Sequence, residues 1–355
     1  MSEGRPDRDR AKLPSLDLGR FVAAGLVVLF HYGYLLANLR GERPFDLLFR
    51  GGHAGVEYFF VLSGFIILYA HRRDIGRPEQ VGGFFRKRAI RILPMLWLTL
   101  IVWGTLRIVL AGRTTHGATG WDTILLDMLL LPHAGPTVLG VTWTLTRELV
   151  FYLLFSLLIV NRRAGIVALI AWQAGVLAAT LLRLSLGPWG AALFDVHNLG
   201  FGVGLLIAAA GIRGSPGQAR AAAWLGALGF AALLLMEWRI GGPVDAELRP
   251  LGRWLSPVLY TAAAGLCLAG LAALDARAPR RERPWLQALG GCSYVLYLVH
   301  NPVGSIAFRV LDRSPVRLGP EAMMLALAAI AVAAALALHW WIERPLMARL
   351  RHWAR

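Results

Sequence analysis

Within the first apolar run of the chain, GRFVAAGLVVLFHYG at 19–33, an arginine precedes a histidine by eleven positions. Both residue types are costly in hydrocarbon, so ionisable groups in such a run point to function. At 3.6 residues per turn, Arg20 and His31 fall about 20° apart on one helix face and about 16 Å apart along its axis. Arg20, at the start of the run, can hold an anion. His31, deeper, offers an imidazole that is basic and nucleophilic near neutral pH. A snorkelling arginine and a hydrogen-bonded interior histidine are the structural alternatives.

Other runs repeat the pattern. GVEYFFVLSGFIILYA (55–70) places Glu57 at a depth compatible with His31, where a carboxylate would orient the imidazole and stabilise its cation. Ser63 and Gly64 read as close-packing residues. In FFRKRAIRILPMLW (84–97), Arg88 and Arg91 share a helix face. Paired guanidinium groups suit a polyphosphate, although positive charge that holds this loop inside explains part of the cluster. VTWTLTRELVFYLLF (141–155) carries Glu148 about a turn inside, with Phe151 and Tyr152 on its face and Arg147 beside it as a neutralising partner. In LGGCSYVLYLVHNPV (289–303), Ser293, Tyr297 and His300 fall at i, i+4 and i+7, a polar stripe that faces the bundle interior. Near the end, Glu343, Arg344 and Pro345 terminate the last helix.

The elements that must position these groups are membrane spans. The 355 residues are 57% hydrophobic and 16% charged, with mean hydropathy +0.55. That composition excludes a soluble domain and predicts an all-α polytopic bundle. Apolar runs fall near 18–38, 54–70, 92–111, 144–160, 165–184, 196–211, 221–238, 255–274, 288–308 and 321–342, about ten in all. WDTILLDMLLLPH (121–133) is too short to span and reads as an interfacial or re-entrant helix. With the N-terminus inside, the inner segments hold 23 Lys and Arg and the outer segments 10, which favours both termini in the cytoplasm.

The net charge of +16 does not indicate nucleic acid, because the basic residues lie in short loops between apolar runs. Cys267 and Cys292 sit in apolar runs and read as buried small hydrophobes. No metal-ligand spacing is present, so no metal is expected.

Taken together and in order, these motifs resemble the acyltransferase-3 family of integral membrane acyltransferases. The family pattern of Arg or Lys, ten residues, then His is matched by Arg20 and His31. GVDLFFVLSGF is matched by GVEYFFVLSGF, with Glu57 for Asp. The RxxR that opens RILP is matched by Arg88, Arg91, Ile92, Leu93 and Pro94. WSLxxExxFY is matched by Trp143, Thr144, Leu145, Glu148, Phe151 and Tyr152. The SYxxYLxH-like stripe is matched by Ser293, Tyr294, Tyr297, Leu298 and His300, and the closing E-x-P by Glu343 and Pro345.

The resemblance covers residues 16–346. It implies a transmembrane acyltransferase domain at 18–346 between basic tails at 1–17 and 347–355, and it is similar to the stand-alone polysaccharide-modifying members. The implied chemistry is O-acylation, in the first instance acetyl transfer, from cytoplasmic acetyl-CoA or another acyl-CoA to a hydroxyl of a cell-surface or lipid-linked saccharide. No permanently bound cofactor is implied, and the implied location is the bacterial cytoplasmic membrane among its lipids. Arg20, Arg88 and Arg91 would bind the donor. His31 would act as base or transient acyl carrier, oriented by Glu57 or Glu148. Ser293, Tyr297 and His300 would meet the substrate. The rival reading is a proton-coupled transporter of an anionic solute or lipid-linked sugar, in which the same groups form a relay.

Overall fold

The computed structural model describes residues 13–111, 120–211, 214–241, 251–277 and 284–353, and among these every regular element is helical. In chain order they are α1 (Pro14–Arg40), a 3₁₀ segment (Pro44–Ala54), α2 (Gly55–His71), α3 (Val81–Ala111), α4 (Trp121–Met128), α5 (Thr142–Val160) and α6 (Arg162–Leu181). Then follow α7 (Pro188–Phe194), α8 (Leu199–Ala210), α9 (Pro216–Ile240), α10 (Leu255–Asp275), α11 (Pro284–Asp312), α12 (Pro320–Leu338), a π turn (His339–Glu343) and α13 (Arg344–Trp353). Residues 1–12 and 354–355 of the expected tails lie outside the described residues.

Nine stretches among the described residues are long and apolar enough to cross a membrane, against about ten expected. The difference is α11. At 29 residues it has the length, but Ser293, Tyr294, Tyr297, His300 and Asn301 lower its apolarity. Outward-facing side chains such as Val167, Ile170, Leu206 and Leu228 are more than half exposed, a surface suited to lipid and not to water.

The expected span at 196–211 is a broken one. Helix α8 has 12 residues, about 18 Å of rise and too short to cross alone. Helix α7 and a 3₁₀ turn over Val196–Asn198 complete the stretch Pro188–Ala210. Breaking a helix frees backbone carbonyls that hydrocarbon cannot satisfy. Here the Asn198 side-chain amide donates to Ala192 O and Leu193 O, both at 3.0 Å, and Trp172 Nε1 also donates to Leu193 O. The segment 121–133 likewise yields a helix of only eight residues, α4. Its buried Asp127 accepts from Val138 N at 2.6 Å and pairs with His133 Nε2 at 3.0 Å, which ties down the chain leading to α5.

Helices α2 and α8 approach each other more closely than any side chain would allow. A Cβ on Gly204 would sit 2.0 Å from the Val61 carbonyl, and one on Gly64 2.2 Å from the Phe201 carbonyl. Beside this contact Phe201 stacks on Phe60 and on Phe151, with ring centroids 4.6 Å apart in each pair. The contact brings the start of α2, with Glu57, against the break before α8. A second buried polar knot ties the 3₁₀ segment Pro44–Ala54 to α9 and α10: the fully buried Glu237 accepts from Ser256 Oγ at 2.7 Å and pairs with His53 Nε2 at 3.1 Å.

Gly204→Ala forces a backbone shift between α2 and α8 and should lower stability by about 1–3 kcal/mol. Gly82→Ala, where a Cβ meets nothing within 4 Å, should leave it unchanged or raise it. Thermal unfolding of both variants in one detergent checks this; equal Tm values would contradict the tight contact.

Candidate active site

A cavity of about 140 Å³ opens between α1, α2, α3, α5 and α11. One end is lined by Arg20, Arg88 and Arg91, and its walls carry Ser63, Glu148, Tyr152, Ser293, Tyr294 and Tyr297. The structure therefore gathers six of the expected site residues around one space: the three arginines, Glu148, Ser293 and Tyr297.

The arginine end is anchored in graded fashion. Arg91 donates from Nη1 to Glu343 Oε1 at 3.1 Å and lies over the Tyr294 ring. The Tyr294 hydroxyl donates to Ile92 O, which ties α11 to α3 beside Arg91. Glu343 is also held by His339 Nδ1 at 2.5 Å; both sit on the π turn, whose extra residue turns the two side chains inward. Contrary to expectation the helix does not end at Glu343, Arg344 and Pro345: it runs on as α13 to Trp353, and Glu343 serves instead as the buried partner of Arg91 and His339. Among the described residues Arg20 has only Asp17, at 3.7 Å, for an ion pair. Arg88 keeps its Nε buried with no hydrogen-bond partner among the described residues. Three guanidinium groups, one with an unused buried N–H, form a host for a multiply charged anion.

Glu148 accepts from Ser63 Oγ at 2.8 Å and from the Tyr152 hydroxyl at 2.5 Å. Ser63, expected to serve packing, is thus a polar partner. Arg147, expected to neutralise Glu148, instead pairs with Asp195 at 3.3 Å and lies over the Trp143 ring at 4.5 Å. Its helical neighbour simply points to the other side of α5, because consecutive residues are 100° apart.

Phe59 and Tyr297, whose rings are 5.6 Å apart, also line the cavity. The proton of Thr144 Oγ1 is committed to Val141 O, so in the 3.0 Å contact between Tyr297 OH and Thr144 Oγ1 the tyrosine is the donor. Ser293 likewise donates to Gly290 O and presents lone pairs to the cavity.

His31 and His300 do not line this cavity and form a pair. His300 Nε2 is 3.2 Å from His31 Nδ1, and the ring centroids are 5.0 Å apart. Carbonyl oxygens only accept, and this fixes both tautomers. His300 Nδ1 faces Tyr297 O at 2.8 Å and Leu296 O at 3.2 Å, so it carries the hydrogen. His31 Nδ1 faces Val27 O at 2.9 Å, so it is protonated as well and shares that hydrogen with His300 Nε2. In neutral imidazoles this assignment leaves the lone pair of His31 Nε2 uncommitted. The Tyr32 hydroxyl donates to His300 O at 2.7 Å and locks α1 against α11 at this level.

Neither Glu57 nor Glu148 orients His31, contrary to expectation; Val27 and His300 do. The imidazole beside Glu57 is that of His197, with Nε2 3.5 Å from Oε1. Asp195 takes the other ring nitrogen of His197 and is itself paired with Arg147. A string of alternating acidic and basic groups, Glu57, His197, Asp195 and Arg147, therefore runs through the break between α7 and α8. The sequence signal for it was present in FDVHN (194–198), where an acid and a histidine interrupt two apolar runs.

Comparison with known proteins gives a consistent picture. A family model described as an acyltransferase domain matches residues 13–344. Acyltransferase MdmB of Streptomyces mycarofaciens is 26% identical over 336 residues, which covers 83% of this chain and 81% of its own. Exopolysaccharide production protein ExoZ of Rhizobium meliloti (strain 1021) is 28% identical over 324 residues, covering 84% of this chain and 91% of its own. Nodulation protein 10 of Rhizobium leguminosarum bv. viciae is 29% identical over 166 residues, 41% of this chain and 44% of its own. No solved structure matches.

Solid-state NMR of ¹⁵N-histidine-labelled protein, assigned with His31→Asn and His300→Asn, should show both residues protonated at Nδ1 and bare at Nε2. A signal from Nε2–H of His31 would contradict the assignment.

Proposed function

The chain belongs to the acyltransferase-3 family, and from that premise we propose that it transfers an acyl group, acetyl in the first instance, from acyl-CoA to a hydroxyl of a cell-surface or lipid-linked saccharide. The observation that carries the donor assignment is the arginine-lined end of the cavity, where Arg20, Arg88 and Arg91 converge and Arg88 Nε is buried without a partner. Coenzyme A is a polyphosphate on a long uncharged arm, which suits a basic mouth followed by a narrow polar passage. The saccharide acceptor is supported by the likeness to a protein named for exopolysaccharide production.

In this reading the arginine end faces the cytoplasm, as the excess of positive loop charge favours. Arg88 and Arg20 bind the phosphates, and Arg91, held by Glu343, keeps its fork aimed into the mouth. The pantetheine arm follows the wall of Ser293, Glu148 and Tyr152, where its amides find acceptors and donors. It spans the distance of about 16 Å from Arg20 to His31. Passage past Tyr297 requires its hydrogen bond to Thr144 to open, after which that hydroxyl is free to donate to the thioester oxygen.

His31 Nε2 then removes the proton of the acceptor hydroxyl as its oxygen attacks the thioester carbonyl carbon. The imidazolium is stabilised because its Nδ1–H is already shared between Val27 O and His300 Nε2. When the tetrahedral intermediate collapses, the C–S bond breaks and the proton passes from His31 Nε2 to the departing thiolate. The products are an acyl ester and free CoA, and His31 returns to its starting state.

Release of free CoA from acetyl-CoA by the protein in nanodiscs, with envelope glycans supplied, tests the proposal. His31→Ala should reduce turnover by about 10²–10⁴-fold, the range of a lost general base. Arg88→Ala should raise the KM for acetyl-CoA by about 10–100-fold with a smaller change in kcat, as for one lost charge-assisted hydrogen bond. No thioester consumption with acetyl- or longer acyl-CoA would overturn the proposal and return the transporter reading.

A further inference from the structure

A second cavity, of about 120 Å³, lies at the other end of the bundle, walled by Arg183, Ser185, Asp195, Arg253 and Trp254. Its position follows from the chain. Leu158, near the C-terminus of α5, accepts from Gly76 N in the turn between α2 and α3, and so sits at the end that carries Arg88 and Arg91. The opposite end of α5, with Trp143 and Arg147, faces Asp195. The two cavities therefore open toward opposite faces.

Its lining is chemically specific. Arg183 and Arg253 form no ion pair among the described residues, although Asp195 shares the cavity; that carboxylate is engaged by Arg147 and His197. Arg253 lies over one face of Trp254, 5.1 Å from its ring centroid. Arg183 occupies the left-handed position that ends α6, with φ 52° and with Leu184 N returning to Ala179 O. Glycine is the favoured residue at such a position, and any other side chain there costs backbone energy. Two arginines aimed at one hollow, one of them kept at a conformational cost, select for an anionic ligand.

The remaining groups narrow the class. Asp195 has lone-pair capacity left on Oδ2 beyond its contact with Arg147, and Ser185 adds a hydroxyl. Both suit a ligand that brings hydroxyl donors along with its negative charge. A lipid phosphodiester with a donor-free headgroup offers the charge without hydroxyls for Asp195 to accept from, and one with a hydroxylated headgroup is told apart from a sugar by the test below. A carboxylate-bearing sugar offers both, with its apolar face available for the edge of Trp254.

Resting on the acyltransferase reading above, we propose that this cavity is a recognition subsite for an acidic saccharide unit, a uronate or similar carboxylated sugar, of the acceptor. Arg183 and Arg253 bind its carboxylate and Asp195 accepts from its hydroxyls. Asp195 also links the subsite, through His197, to Glu57 at the start of α2. The acceptor's charge is then read on the face opposite the donor's.

The test measures binding and turnover separately. Trigalacturonate and maltotriose are titrated into the full-length protein in nanodiscs of neutral lipid, and again with phosphatidylglycerol present. Wild type should bind the uronate trimer at least tenfold more tightly than the neutral one. Arg183→Gly combined with Arg253→Gln should erase that preference, while Arg183→Gly alone raises Tm by relieving the backbone, which a merely structural arginine would not do. Arg163→Ala, at the opposite face, is the control for nonspecific charge and should leave the preference intact. Equal binding of the two trimers, a preference that survives in the double variant, or displacement of the uronate by phosphatidylglycerol overturns the subsite, the last in favour of a lipid headgroup site. Acetyl-CoA consumption is scored in parallel. If it proceeds without a uronate preference, the subsite alone fails; if it is absent, the acyltransferase reading fails whatever the trimers do.

Discussion

Inside hydrocarbon a polar side chain cannot fall back on water, so each must find its complement in the protein, and the arrangement of this bundle turns on that requirement. Tyr32 donates to the backbone carbonyl of His300, Tyr294 to that of Ile92, and Tyr297 to the hydroxyl of Thr144. Each bond joins two helices, and leaving one of these buried groups unmatched would cost about 1–3 kcal/mol. The polar groups are therefore also the register pins of α1, α3, α5 and α11. A side chain that is pinned this firmly is held in a defined orientation, which is what a catalytic imidazole needs.

The same requirement explains the division of the interior into compartments. At the arginine end the complement is incomplete among the described residues: Arg88 keeps a buried N–H without a partner, and Arg20 has a long contact to Asp17 as its one ion pair. Toward the other end the string from Glu57 to Arg147 sets acid against base at each step, with Arg147 Nε buried and without a hydrogen-bond partner among the described residues. Between them the His31 and His300 pair is satisfied on every nitrogen but one. In the proposed reaction the anion binds at the first place and the chemistry takes place at the last. The close contact of α2 with α8 through Gly64 and Gly204 fixes the spacing among them, since neither helix can retreat without opening the aromatic stack of Phe60, Phe201 and Phe151.

Much of this was legible in the sequence because it depends on helical periodicity. Arg20 and His31 share a face of α1, Arg88 and Arg91 share a face of α3, and Ser293, Tyr297 and His300 form a stripe on α11 that turns inward. What could not be read were partnerships between helices distant in sequence. Glu57 meets His197 and not His31, and Arg147 meets Asp195 and not Glu148, because those choices are set by how α2, α5 and α8 rotate against each other. The break between α7 and α8 was also hidden. Asp195 and His197 interrupt the apolar runs there, but nothing in the pattern shows that helical hydrogen bonding gives way to side-chain capping by Asn198 and Trp172. The π turn at His339–Glu343 was likewise invisible, since a single added residue leaves the apolar pattern nearly unchanged.

The central claim is that a donor held at Arg20, Arg88 and Arg91 reaches His31 through the passage that Tyr297 now closes. A cryo-EM structure in nanodiscs with a non-hydrolysable acetyl-CoA thioether tests it directly. The account predicts the phosphates against the three guanidinium groups, Tyr297 swung away from Thr144, and the acetyl carbonyl within hydrogen-bond reach of Tyr297 and close to His31 Nε2. An analogue bound at any other surface, or one seated at the arginines with Tyr297 still bonded to Thr144 and its acetyl end remote from His31, would contradict it.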